Sequence, residues 1–159
     1  MIHNMRLIAV IILIGLIAPS AALAEPACYD AKVRAQPIDQ VPSEIGDCGA
    51  DCIMSWPWFV DLRVKHVVDG VLPIKVVRVL TVQHTYQVSR ARTWLLRRNT
   101  AGGYNVLAPE DGAALTRCSA EVAPVAPYIG LSDGHTLDDL RDAGIRRYGH
   151  HTKITVPVY

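Results

Sequence analysis

The segment Gly130-Leu131-Ser132-Asp133-Gly134 matches G-x-S-x-G, the pattern that sets a serine nucleophile on a tight turn. Asp138, Asp139 and Asp142, then His150 and His151, follow it in the hydrolase order of acid before base. That chemistry requires a strand entering the turn, a helix leaving it and a parallel sheet around both. Pro124 and Pro127 interrupt the chain just upstream, and Ser-Asp-Gly is an ordinary turn sequence. The expectation is a surface turn ahead of a helix. No catalytic residue is assigned, and a small hydrolase using Ser132 stands as an alternative.

Five of the six histidines (His66, His84, His135, His150, His151), all but His3 near the amino terminus, and the pair Cys48 and Cys52 raise metal binding next. His150 and His151 are adjacent, so on a strand they point to opposite faces and do not share an ion. The chain has no H-E-x-x-H motif and no C-x2-C pair. Nor does it contain a phosphate loop, dinucleotide fingerprint or haem motif. Neither a metal site nor a cofactor is expected.

Two clusters suit binding. Arg90, Arg92, Arg97 and Arg98 surround Trp94, with Tyr86 and Tyr104 nearby. Strand alternation sends Trp94, Leu96 and Arg98 one way and Thr93, Leu95 and Arg97 the other, which predicts a core Trp94 beside solvated arginines. Arg90, Arg92 and Arg97 are then candidate partner contacts. Trp56-Pro57-Trp58-Phe59 is the densest aromatic run, readable as core beneath a stapled loop or as an exposed partner patch of Trp56, Trp58 and Phe59.

The address comes from the other end of the chain. Arg6, the apolar run Leu7 to Ala18 and the small residues Ala22-Leu23-Ala24 read as a signal peptide over residues 1–24. Secretion or export to a periplasm follows, with a mature start at Glu25 and no later apolar run long enough to span a membrane. Basic and acidic side chains are 16 and 15, and Arg6 leaves with the leader. A near-neutral domain lacks the broad positive field that nucleic-acid binding needs. Cys28, Cys48, Cys52 and Cys118 meet an oxidising compartment, so two disulfides are the default. The close spacing of Cys48 and Cys52 favours a local staple and leaves Cys28 to Cys118 as a long-range tie.

These groups need elements to hold them. Tyr29 to Gln36 alternates as a half-buried strand, and Pro37 to Cys52 reads as loop. Trp58 to Lys65 alternates again and Asp69-Gly70 marks a hairpin turn. Ile74 to Val82 carries apolar residues on both parities and should be central and covered on both sides. Thr93 to Arg98, Tyr104 to Leu107 and Leu115 to Cys118 supply further short strands. Glu121 to Ile129 should cross the surface extended. A helix should start at Thr136 and cap at Gly144, and Thr152 to Val158 should form an edge strand. Five or six short strands at hairpin spacing predict a mainly β, small closed barrel with a short C-terminal helix.

From Cys28 to about Pro124 the chain resembles the netrin-like module, the OB-barrel variant of tissue inhibitors of metalloproteinases. The resemblance rests on the order of a cysteine opening the first strand, Val67-Val68-Asp69-Gly70, Trp94-Leu95-Leu96, Asp111-Gly112, and Cys118 followed by Val122-Ala123-Pro124. It implies an OB-like barrel with Cys28 bonded to Cys118. In the inhibitors the amino-terminal cysteine chelates a protease zinc through its amine and carbonyl, a role that would fall to Cys28 at a processed terminus. The Cys-x-Cys start of that family is absent, since Tyr29 and Asp30 follow Cys28. The organisation expected is a leader at 1–24, an OB-like barrel at 25–120 and a C-terminal extension at 121–159. The function expected is a noncatalytic binding or structural module for an extracytoplasmic protein or envelope component, with the metalloprotease inhibitor as first alternative.

Overall fold

A computed structural model describes residues 28–44, 55–108, 114–132 and 134–152. The leader, the Cys48 and Cys52 staple, Asp111-Gly112 and residues 153–158 of the expected edge strand lie outside the described residues. The chain forms β1 (Cys28–Tyr29), β2 (Ala31–Pro42), β3 (Trp56–Gly70), β4 (Val76–Gln83), β5 (Arg92–Arg98), β6 (Tyr104–Leu107), β7 (Thr116–Arg117) and α1 (Leu137–Tyr148). Five strands close in the order β2-β3-β4-β6-β5, antiparallel except for β4 with β6. This is a five-stranded closed barrel in which the chain crosses over from β4 to β5 before β6 returns between them. The protein is mainly β, with one short C-terminal helix.

The alternating pattern of β2 is realised: Ala31, Val33 and Ala35 are fully buried inside the barrel. The strand does not stop at Pro37 as expected but continues to Pro42. Pro37 is tolerated because β5 pairs with β2 only as far as Ala35, so no ladder bond is demanded on that side. Register shifts against β3 leave Ile38, Lys65 and Val68 as extra residues. Such bulges bend and twist long strands, which is how strands of 12 and 15 residues curl into a small barrel.

The hairpin expectation needs correction. Asp69 and Gly70 stay in β3, paired with Lys32 and Ala31, and the chain turns over Val71 to Lys75 instead. Gly70 has φ 87°, and a Cβ there would lie 2.4 Å from the Asp30 carbonyl oxygen. The glycine is used for close approach to β2. On β4, Val77 and Val79 enter the barrel core and Leu80 the helix interface, whereas Val76 and Val82 stay exposed. The strand is central, as expected, but covered on its outer face only around Leu80.

A second core lies outside the barrel. Val41, Phe59 and Leu80 point outward and are covered by Ile129, Leu137, Leu140 and Ile145. The helix has its expected cap: Thr136 accepts from the Asp139 backbone N–H, and the Asp139 carboxylate accepts from the Thr136 backbone. It runs past Gly144 to Tyr148 and caps at Gly149. Gly144 is buried, where the Pro42 carbonyl would lie 2.3 Å from an added Cβ, so it serves packing and not termination. The segment Glu121 to Ile129, expected to be extended throughout, opens in a turn closed by the Val122 N–H on the Ser119 carbonyl, and residues 123–127 then cross β5 and β6. Val125 bridges Asn99, and the Ala126 carbonyl accepts from Asn105 Nδ2 at 2.8 Å.

The Cys28–Cys118 disulfide is present. It joins β1 to β7 in a separate two-stranded parallel sheet, so the Leu115 to Cys118 segment lies beside the barrel and not in its wall.

Candidate functional site

Strands β4 and β6 touch only at Val79 with Tyr104 and Leu80 with Asn105. Beyond those pairs the strands part, and a crevice of about 580 Å³ opens between them. Its lining mixes apolar side chains, Val82, Leu95, Val106, Leu107 and Leu115, with polar and basic ones, Lys32, Arg92, Thr81, Thr93 and Tyr29, and includes Trp94.

Trp94 is built into the barrel. Only 3 % of it is exposed, and its indole Nε1 donates to the Ala35 carbonyl at 3.0 Å. The ring is thereby fixed, and the Arg92 guanidinium lies over it, 4.0 Å from the centroid. Burial against the ring, with Arg90 as a like charge, lowers the Arg92 pKa, yet an arginine stays protonated at neutral pH. No carboxylate pairs with Arg92 among the described residues. The Tyr29 hydroxyl donates to Asp69 at 2.8 Å; that bond, with burial, raises the tyrosine pKa. Asp69 is thus occupied on the far side of the crevice.

The other expected contacts are placed differently. Arg97 is not solvated: 3 % exposed, it donates to Asp30 and to the Ala123 carbonyl beneath the extended segment. Trp58 and Phe59 are 2 % and 1 % exposed and face opposite sides of β3, Trp58 into the barrel and Phe59 under the helix. They make no surface patch. Trp56 is half-buried beside Trp58, with ring centroids 5.5 Å apart. Arg90 is exposed and does not line the crevice. Pro57, expected at an edge or in a loop, is the second residue of β3: it pairs with Val82 of β4, and the β2 ladder stops at Trp58 before reaching it.

No catalytic constellation assembles among the described residues. Ser132 Oγ lies 3.1 Å from His135 Nδ1, but the His135 backbone also donates to the Ser132 carbonyl, which is the closure of an exposed turn. Asp138 is held by Arg78 and Asp139 by its own cap, so neither orients His135. His150 Nδ1 reaches Asp39 at 3.0 Å, and His151 Nε2 reaches the Tyr148 carbonyl while its ring packs on Tyr86. The described residues hold no group of three or more potential metal ligands. Cys28 is 6 % exposed and disulfide-bonded.

Sequence reasoning missed two features. Gln40, assigned to loop, is 1 % exposed and closes one end of the barrel with Gln83 and Gln87, accepting from the Gln87 backbone at 2.8 Å. Lys32 joins the crevice beside Thr93 and Leu95 because β2 pairs with β5, Lys32 opposite Leu95, which only the strand pairing shows. No protein-family model, curated protein or solved structure matches this chain. The disulfide is compatible with an extracytoplasmic location, and no helix among the described residues is long and apolar enough to cross a membrane.

Proposed function

We propose that this protein is a secreted or periplasmic, noncatalytic binding module whose crevice takes an anionic, partly apolar component of the extracytoplasmic space. The observation that carries this reading is Arg92: a guanidinium stacked on a fixed tryptophan, without a carboxylate partner among the described residues, in the lining of a partly apolar crevice. An arginine held on a ring keeps its charge while its orientation is restricted, so an incoming carboxylate or phosphate finds an ordered donor fork. The apolar part of the lining supports a hydrocarbon-bearing ligand over a bare ion. The exported address rests on the leader pattern together with the disulfide. The barrel is of the five-stranded Greek-key class that includes OB barrels, which supports the netrin-like reading without selecting a function.

The experiment is a titration with decanoate and, in parallel, decanol, read by tryptophan emission, since Trp94 underlies the guanidinium. Decanoate is expected to bind and decanol to bind at least about tenfold more weakly, the difference one charge-assisted contact makes. Arg92→Ala should remove that preference with the fold intact by circular dichroism. Equal binding of the two probes, or a preference that survives Arg92→Ala, overturns the reading.

A further inference from the structure

We infer that the β3–β4 hairpin end is a docking surface for an anionic lipid bilayer. Val68, Val71, Ile74 and Val76 are 50 %, 75 %, 47 % and 46 % exposed, and all lie at this end of the hairpin. Val71 and Ile74 occupy the connection and Val76 opens β4 opposite Arg63, whereas Val68, the extra residue of a bulge, lies further along β3 toward the connection. Leu72 alone of the connection turns inward, 8 % exposed, and anchors the hairpin end to the barrel core.

The charges left unpaired around this apolar end are cationic. Arg63, Lys65 and Lys75 are exposed, and none forms an ion pair among the described residues. Lys65 is itself a bulge residue, and the Lys75 carbonyl accepts from the backbone of Val64, the residue before Lys65, at 2.8 Å, which holds both lysines at this end of the hairpin. The carboxylates near this end are engaged: Asp69 by the Tyr29 hydroxyl, the Gly70 backbone N–H and Arg117, Asp30 beside Val71 by Arg97 and Arg98, and Asp138 beside Ile74 by Arg78. An aliphatic tip ringed by free cations complements an anionic headgroup layer over a hydrocarbon interior. Lysine flanking and the absence of an exposed aromatic at the tip separate it from protein interfaces, which enrich aromatic residues and deplete lysine. Near-zero net charge does not oppose this, because the field is local to the hairpin.

The test is cosedimentation of the purified exported protein with vesicles of equal phosphatidylglycerol and phosphatidylcholine, and with phosphatidylcholine alone. Three cations at the surface should favour the anionic vesicles by roughly a hundredfold in low salt, falling as salt rises. Lys65→Glu with Lys75→Glu should abolish that preference, and Val71→Asp with Ile74→Asp should weaken binding in both salt regimes; all four side chains are exposed, so folding is retained. Failure to sediment with anionic vesicles, or sedimentation unchanged in both double variants, overturns the inference and leaves the crevice reading untouched.

Discussion

Arg97 Nη1 donates to Asp30 Oδ2 at 2.8 Å, with 3 % of the arginine side chain and 11 % of the aspartate side chain exposed. Asp30 also accepts from the Arg98 backbone at 2.7 Å and from Arg98 Nε at 2.8 Å, in the gap between β1 and β2. One carboxylate therefore joins the disulfide-linked sheet to the barrel. Replacing Asp30 by alanine strands a buried guanidinium and should destabilise the protein by about 3–5 kcal/mol. Urea unfolding measures this, and Arg97→Met on the Asp30→Ala background should recover part of the loss.

The same carboxylate sets an acid limit. Burial alone would raise the Asp30 pKa, but the Arg98 backbone and the Arg97 and Arg98 guanidiniums outweigh it, and the net direction is down. A group whose pKa is lowered in the folded state contributes stability that is complete above the ordinary carboxylate pKa of about 4 and lost as pH falls through the folded value. Asp69 and Asp139 shift the same way, through the Tyr29 and Thr136 hydroxyls, from exposed positions. The urea midpoint should hold from pH 7 to about 5 and fall below about 4, with a shallower fall in Asp30→Asn.

Gly144 lies against the last residue of β2, where a methyl group would meet the Pro42 carbonyl and Val41 Cγ1. On an exposed helix, Gly→Ala gains about 1 kcal/mol. Here backbone blocks the site, so Gly144→Ala should instead lower stability by about 1–3 kcal/mol and loosen the helix from Val41, Phe59 and Leu80. A rise in the melting temperature would contradict this packing.

The disulfide closes a loop with a sequence separation of 90. On the chain-entropy account, a Cys28→Ser, Cys118→Ser double variant should lose about 4–5 kcal/mol. Urea unfolding of the double variant beside the unaltered protein, both without reductant so that Cys48 and Cys52 are in the same state in each, measures it.

Trp58 fills the barrel next to Tyr86, with their rings edge to face at 4.7 Å. Trp58→Ala should cost about 3–5 kcal/mol. Any loss of binding in that variant reports unfolding first, so Arg92→Ala, at an exposed position, is the variant that separates recognition from folding.

What the sequence alone determined is what local periodicity and cysteine spacing encode. The alternation of Tyr29 to Gln36, of Trp58 to Val64 and around Trp94 announced barrel strands, Thr136 and Asp139 announced the helix start, and Cys28 and Cys118 were paired before any coordinates. Only the tertiary structure decided what depends on a neighbour distant in the chain. Pro37 stays in a strand because its partner ladder has already ended, Gly144 is helical interior because β2 passes against it, and Arg97 is buried because residues 119–129 fold over it. The crevice has the same origin: no spacing in the chain records that β4 and β6 pair through two residues and then part, which opens the space, or that β2 pairs with β5, which sets Lys32 near Arg92 and Trp94.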